Sequence, residues 1–133
     1  AKETDNSKKS EMAYLAATAL YEAKKLAQAK KYCYMSAEYN SEFGEPYILL
    51  ATMYGSNPNW SDEGALNRAT YFLVIDKLLK AKSVDPELTD RVNEMISTYS
   101  RHTPSTQDLF MLGIKKGDRV TIGGWIGETT TVR

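Results

Sequence analysis

The sequence predicts a mainly α-helical fold: antiparallel helical hairpins stacked as a short superhelix, followed by a small C-terminal β-hairpin. Three observations predict it. Apolar and small residues recur at i, i+3, i+4 and i+7 through most of residues 10–112, the spacing of one helical face. The pattern then returns at a fixed shift, so one unit is used more than once. From Gly117 the helical period stops, Arg119-Val120-Thr121-Ile122 alternates, and residues 129–132 are all β-branched.

The totals suit one domain. The chain has 133 residues, 42% hydrophobic and 26% charged, enough to build a core. Its 17 basic and 17 acidic residues cancel, which argues against a general electrostatic nucleic-acid binder. The basic pairs Lys8-Lys9, Lys24-Lys25 and Lys30-Lys31 read as solvated helix faces. A single cysteine, Cys33, forms no internal disulfide and falls among small residues on a helix face, as core filler. The single histidine, His102, has no second ligand at a telling spacing, so no metal site and no cofactor are expected. No apolar run approaches the ~18 residues of a membrane span. The opening AKETDNSKK has neither an initiator Met nor a signal sequence, and reads as a processed front or a piece of a longer protein.

Taken in order, residues 1–9 are polar without a period and read as a disordered lead-in or linker. Ser10 is placed to cap a first helix over 11–23, with Ala13, Ala16, Ala17 and Leu20 inward. A second helix is expected over about 26–40, with Leu26, Ala29, Cys33 and Ser36 inward. The chain turns at Phe43-Gly44, and Pro46 suits the first turn of a third helix ending near Gly55. SNPNWSDEG is dense in turn formers. Ser61 is placed to cap a fourth helix over about 62–82, with Asp62 and Glu63 favourable at its start and Tyr71, Val74, Leu78 and Ala81 inward. Asp85 and Pro86 form an N-cap and first-turn pair for a fifth helix to about Arg101, with Val92, Met95, Ile96 and Tyr99 inward. Ser105 caps one further short turn. The hairpin over 113–133 turns at Gly123-Gly124 or near Gly127-Glu128. A lone hairpin is marginal in water, so Ile122, Trp125 and Ile126 are expected to pack on the last helices, received by Phe110, Met111 and Ile114.

Ala13, Ala16, Ala17 and Leu20 map onto Tyr47, Leu50, Ala51 and Tyr54 by a constant shift of 34 residues. Leu26, Ala29, Cys33 and Ser36 map onto Tyr71, Val74, Leu78 and Ala81 by a shift of 45, and Tyr47 maps onto Val92 by 45 again. The second unit is therefore a 34-residue repeat with 11 extra residues, placed near 55–69. Tyr47, Leu50, Ala51 and Tyr54, then Ala81 and Pro86, resemble the tetratricopeptide repeat signature, whose period is also ~34 residues. The resemblance covers residues 10–101, about two and a half units. Unit one departs from it, with Ala13 and Ser41 at the aromatic and proline positions; a generic helical bundle is the competing reading. The tail FMLGIKKGDRVTIGGWIGETTTVR resembles the C-terminal segment of Bacteroides-type envelope tetratricopeptide proteins. That resemblance implies a periplasmic or cell-envelope location.

The repeat resemblance implies a concave groove lined by the first helix of each pair. Its ligand-facing positions carry over to Glu11, Tyr14, Thr18, Tyr21 and Glu22 in unit one, to Glu45, Ile48 and Thr52 in unit two, and to Asp90, Asn93 and Ser97 in unit three. With no basic residue in that set, a neutral or basic peptide is the expected ligand. The function this implies is a non-catalytic protein-protein interaction or scaffold module. The alternative is a structural cap or oligomerisation segment of a larger envelope protein, its surfaces touching the rest of its own chain or a second copy. A hairpin can cap the array, or offer an open strand edge to a partner. Gly123, Gly124 and Gly127 read as turn residues, because no helix N-terminus follows them to hold a phosphate. A third reading, a Cys/His hydrolase, would need Cys33 and His102 in one pocket.

Overall fold

The computed structural model describes the backbone of residues 2–133 and the side chains of residues 5–133. It is mainly helical, with one two-stranded antiparallel sheet. The first hairpin pairs α1 (Lys2–Glu22) with α2 (Leu26–Tyr39). Small residues let the two backbones approach: Ala13, Ala17, Ala29 and Cys33 are all buried. At the far end Ser10 and Ser36 are buried together, each hydroxyl donating to the other's carbonyl at 2.6 and 2.7 Å. The turn is a Schellman closure. Lys24 N–H donates to Tyr21 O and Lys25 N–H to Leu20 O, which places Lys24 in the left-handed region at φ 62°.

The disordered lead-in expected over residues 1–9 is helical where it is described. Residues 2–9 continue α1, and Ala1 lies outside the described residues. Ser10 accordingly sits in the helix interior instead of capping it. Once the Ser10–Ser36 contact anchors the helix, extending it by about two further turns fixes one residue per hydrogen bond, far easier than nucleation.

The second hairpin pairs α3 (Glu45–Ser56), with Pro46 in its first turn, and α4 (Gly64–Val84). Its helix α4 starts two residues later than expected. Glu63 is the N-cap, and the Ser61 hydroxyl accepts from Glu63 N–H at 3.1 Å, stabilising the approach to the helix. The Asp85 side chain does not cap the next helical turn either: its carboxylate accepts from Gly44 N–H at 3.2 Å, tying the end of α4 to the start of α3. Only glycine fits there, because a Cβ on Gly44 would sit 2.7 Å from the Ala81 carbonyl oxygen. Pro86 opens a 3-10 turn (Pro86–Leu88) that runs into α5 (Thr89–Ser100). The Ser105 hydroxyl does cap α6 (Thr106–Met111), accepting from Asp108 N–H at 3.0 Å.

Burial follows the shift of 45 residues along the second helices. Ala29, Cys33 and Ser36 are fully buried on α2, as are Val74, Leu78 and Ala81 on α4, and Leu26 and Tyr71 are half-buried at matching places. The extra residues form the loop 57–63 and a longer α4.

The sheet pairs β1 (Arg119–Thr121) with β2 (Thr129–Thr131), Arg119 opposite Thr131 and Thr121 opposite Thr129. Residues 122–128 connect them and contain both expected turn glycine sites. The hairpin docks elsewhere than predicted. Phe110 and Met111 are 67% and 78% exposed, and α6 buries Leu109 instead. Ile114 alone of the expected receivers packs on the core, and is half-buried. β2 lies on α4, Trp125 meets the Tyr54 ring edge-on at 5.4 Å, and Gly123 rests against Trp60 of the 57–63 loop. Trp60 is held by its indole N–H, which reaches Thr70 Oγ1 at 3.1 Å. Ile122, Ile126 and Val132 thereby join the core that Leu50, Ala51, Met53 and Tyr54 organise.

Candidate functional site

Contacts between the first helices of each pair set the geometry of one broad face. Near the starts of α3 and α5, Arg91 clasps Glu45 with two hydrogen bonds, 2.6 and 3.0 Å. Near their ends, Gly55 lies against the Tyr99 ring, within reach of any Cβ it might carry. The two helices therefore run parallel. On α1, Tyr14 stacks edge-on with Phe43 at 5.4 Å. Burial raises the Tyr14 phenol above its usual pKa, and the Glu45 carboxylate adds to this. Burial likewise raises Tyr99, with Tyr71 and Tyr21 adding to it. Tyr14, beside Phe43, thus lies toward the start of α3.

The expected groove residues divide into three groups. Tyr14, Thr18, Tyr21, Glu45 and Thr52 are half-buried on this face, and Glu11 and Glu22 are exposed beside it. Thr18 and Thr52 turn their hydroxyls back to the carbonyls of Tyr14 and Ile48, the usual helical arrangement. Ile48 is a correction: only 5% of it is exposed, so it belongs to the core and offers nothing to a ligand. Asp90, Asn93 and Ser97 are exposed on α5, where Asn93 accepts from Lys82 of α4 at 2.8 Å. Arg91 and Tyr99 are among the α5 side chains that reach α3. Arg91 is a basic residue missing from the expected set, although Glu45 already neutralises it. The signal was its neighbour Asp90, one position away; only packing tells which of two adjacent helical residues turns toward α3.

At one end of this face lies a hollow of about 380 Å³, lined by Ser7, Glu11, Tyr14, Leu15, Asn40 and Phe43. Its lining is mainly apolar, with Ser7, Glu11 and Asn40 as its polar members, which suits an apolar side chain beside a positive or hydrogen-bonding group.

A polar constellation with no periodic signal in the sequence gathers around Glu128. Glu128, in the β1–β2 connection, accepts from Tyr34 at 2.9 Å, from Tyr54, and from Lys77 at 2.7 Å, with Lys30 at 3.7 Å. Lys30 also donates to the Ile126 carbonyl. Burial alone would raise the Glu128 carboxyl, but its bonds to Lys77 and the tyrosines overcome this and leave it below the usual carboxylate range. Burial would lower Lys77, and Glu128 and Tyr34 reverse that too. Tyr54 is pushed well up, first by burial and then by its bond to Glu128. Next to this cluster, Thr130 donates to Asp76 at 2.7 Å and Arg133 pairs with the same carboxylate. These groups satisfy one another: among the described residues no buried side-chain nitrogen or oxygen lacks a partner. Such a cluster fastens the tail to the helices.

The pieces of the hydrolase reading lie apart. Cys33 is fully buried in the core, and burial pushes its thiol up to about 12. His102 is exposed, its ring 5.2 Å from Tyr71, at a surface hollow bounded by Pro58, Asn67 and Arg68 and not by Cys33. No group of three metal-ligating side chains occurs among the described residues. None of their helices is long and apolar enough to cross a membrane. Comparison with protein-family models, with curated proteins and with solved structures returned no match.

Proposed function

We propose that the chain is a tetratricopeptide-type interaction module that holds a peptide or extended partner segment across the face of α1, α3 and α5. The reading is supported by the parallel course of α3 and α5, with the Tyr14–Phe43 hollow near the start of α3. Glu11 and Glu22 remain exposed there, while Glu45 is neutralised by Arg91, so the face suits an apolar side chain flanked by a positive charge. The reading is non-catalytic and needs no cofactor.

Selection from a random-peptide display library tests it. Peptides with an apolar residue beside a Lys or Arg are expected to enrich. Their affinity is expected to fall about tenfold or more in Tyr14→Ala, as for an aromatic anchor. No enrichment, or peptides that bind Tyr14→Ala and Tyr21→Ala as they bind the parent, would overturn it.

A second reading draws on the fastened tail: the hairpin closes one end of a helical array in a larger envelope protein. The closure is supported by the Glu128 and Asp76 contacts. The periplasmic or envelope location rests on the tail's resemblance, and fractionation of cells making the full-length protein would check it.

A further inference from the structure

Helix α1 is apolar on two sides. Ala13 and Ala17 face inward and are buried, whereas Met12 and Leu15 point outward with 69% and 59% of their surface exposed. Neighbouring large apolar side chains left exposed on one helix face offer a packing surface. Ala16 and Ala19 share the outer face with Met12 and Leu15, because residues three and four apart are neighbours on a helix. Lys8 and Glu22 stand exposed at its two ends, and neither forms an ion pair among the described residues.

The order of these six residues is self-complementary when reversed. Consider a second α1 laid antiparallel across a two-fold axis between Leu15 and Ala16. Met12 then falls opposite the partner's Ala19, and Leu15 opposite the partner's Ala16, large against small in both cases. Lys8 falls beside the partner's Glu22, twice. A parallel arrangement would instead oppose Lys8 to itself and Glu22 to itself. We propose that this outer face of α1 is an isologous interface between two copies of the chain. Leu15 borders the hollow beside Tyr14 and Glu22 stands at the edge of the peptide face, so a dimer and a bound peptide would compete there, and the association is measured without peptide.

Sedimentation of the chain from about 1 to 100 μM reads the association directly. A dimer is expected. Leu15→Glu should weaken it about 30-fold or more, the loss typical of a central apolar contact. Lys8→Glu should weaken it less, and Lys8→Glu combined with Glu22→Lys should restore it. All these positions are exposed, and circular dichroism will register a loss of helix separately. A monomer throughout the range would overturn the inference. So would a dimer indifferent to Leu15→Glu, or a double charge reversal that binds no better than Lys8→Glu alone.

Discussion

Glu128→Gln is the substitution that most directly tests how the tail is fastened. It keeps the shape of the side chain and removes its charge. Lys77, whose side chain is 16% exposed, then faces a neutral amide, and at least one of the Tyr34 and Tyr54 hydroxyls loses its carboxylate acceptor. Hydrogen bonds to a charged group contribute about 1.5–3 kcal/mol. Leaving one partner of a fully buried pair unmatched costs about 3–5 kcal/mol, and exposed pairs give only about 0.2–1 kcal/mol. Glu128 lies between these limits at 22% exposure, so a loss of about 3 kcal/mol is expected. For a chain of this length that lowers Tm by about 12 °C. Thermal melts followed by circular dichroism measure it, and a cycle with Lys77→Met apportions it. The double variant should be less destabilised than the two single losses added together, because the orphaned ammonium is gone. A Tm for Glu128→Gln close to that of the parent, or simple additivity in the cycle, would refute the reasoning.

The same pair fixes a pH dependence. Glu128 has its carboxyl below the unfolded value in the folded chain, so its contribution is complete above about pH 4.3 and is lost as pH falls through the lower folded value. Lys77 has its ammonium pKa raised, so its contribution is complete below about pH 10.4 and is lost as pH rises through the folded value. The stability gap between parent and Glu128→Gln should therefore be flat across the neutral range and close at both extremes. A gap that persisted unchanged in strong acid would contradict the assignment. Two more substitutions probe backbone positions. Lys24→Gly should stabilise the chain by about 1 kcal/mol, because a non-glycine residue there holds a left-handed conformation that glycine adopts freely; denaturant titration checks it. Gly44→Ala should destabilise by about 1–3 kcal/mol, since its Cβ would press on the Ala81 carbonyl and weaken the Asp85 bond, and the same titration should show the midpoint falling.

Sequence alone determined what depends on near neighbours. The helix spans from α2 to α6 were legible to within a few residues, because a helical face repeats every three or four positions and turn residues mark its ends. The Ser105 cap, the β1–β2 hairpin, the burial of Cys33 and the matched burial of α2 and α4 belong to the same class. Tertiary structure decided what depends on which surfaces meet. Ser10 looks like a helix start until Ser36, 26 residues away, accepts its hydroxyl in a buried contact. Ile48 looks available to a ligand until the core covers it. Phe110 and Met111 look like the natural receivers of Trp125, being near in sequence and apolar, yet the hairpin lies on α4. The reason is polar as much as apolar: Glu128, Thr130 and Arg133 find Lys77, Tyr34, Tyr54 and Asp76 on the long α4 and its neighbours. Partners 51 to 94 residues apart leave no periodic trace in a sequence. A side chain's local pattern says which way it points, while its partner is chosen only when the folded surfaces come together.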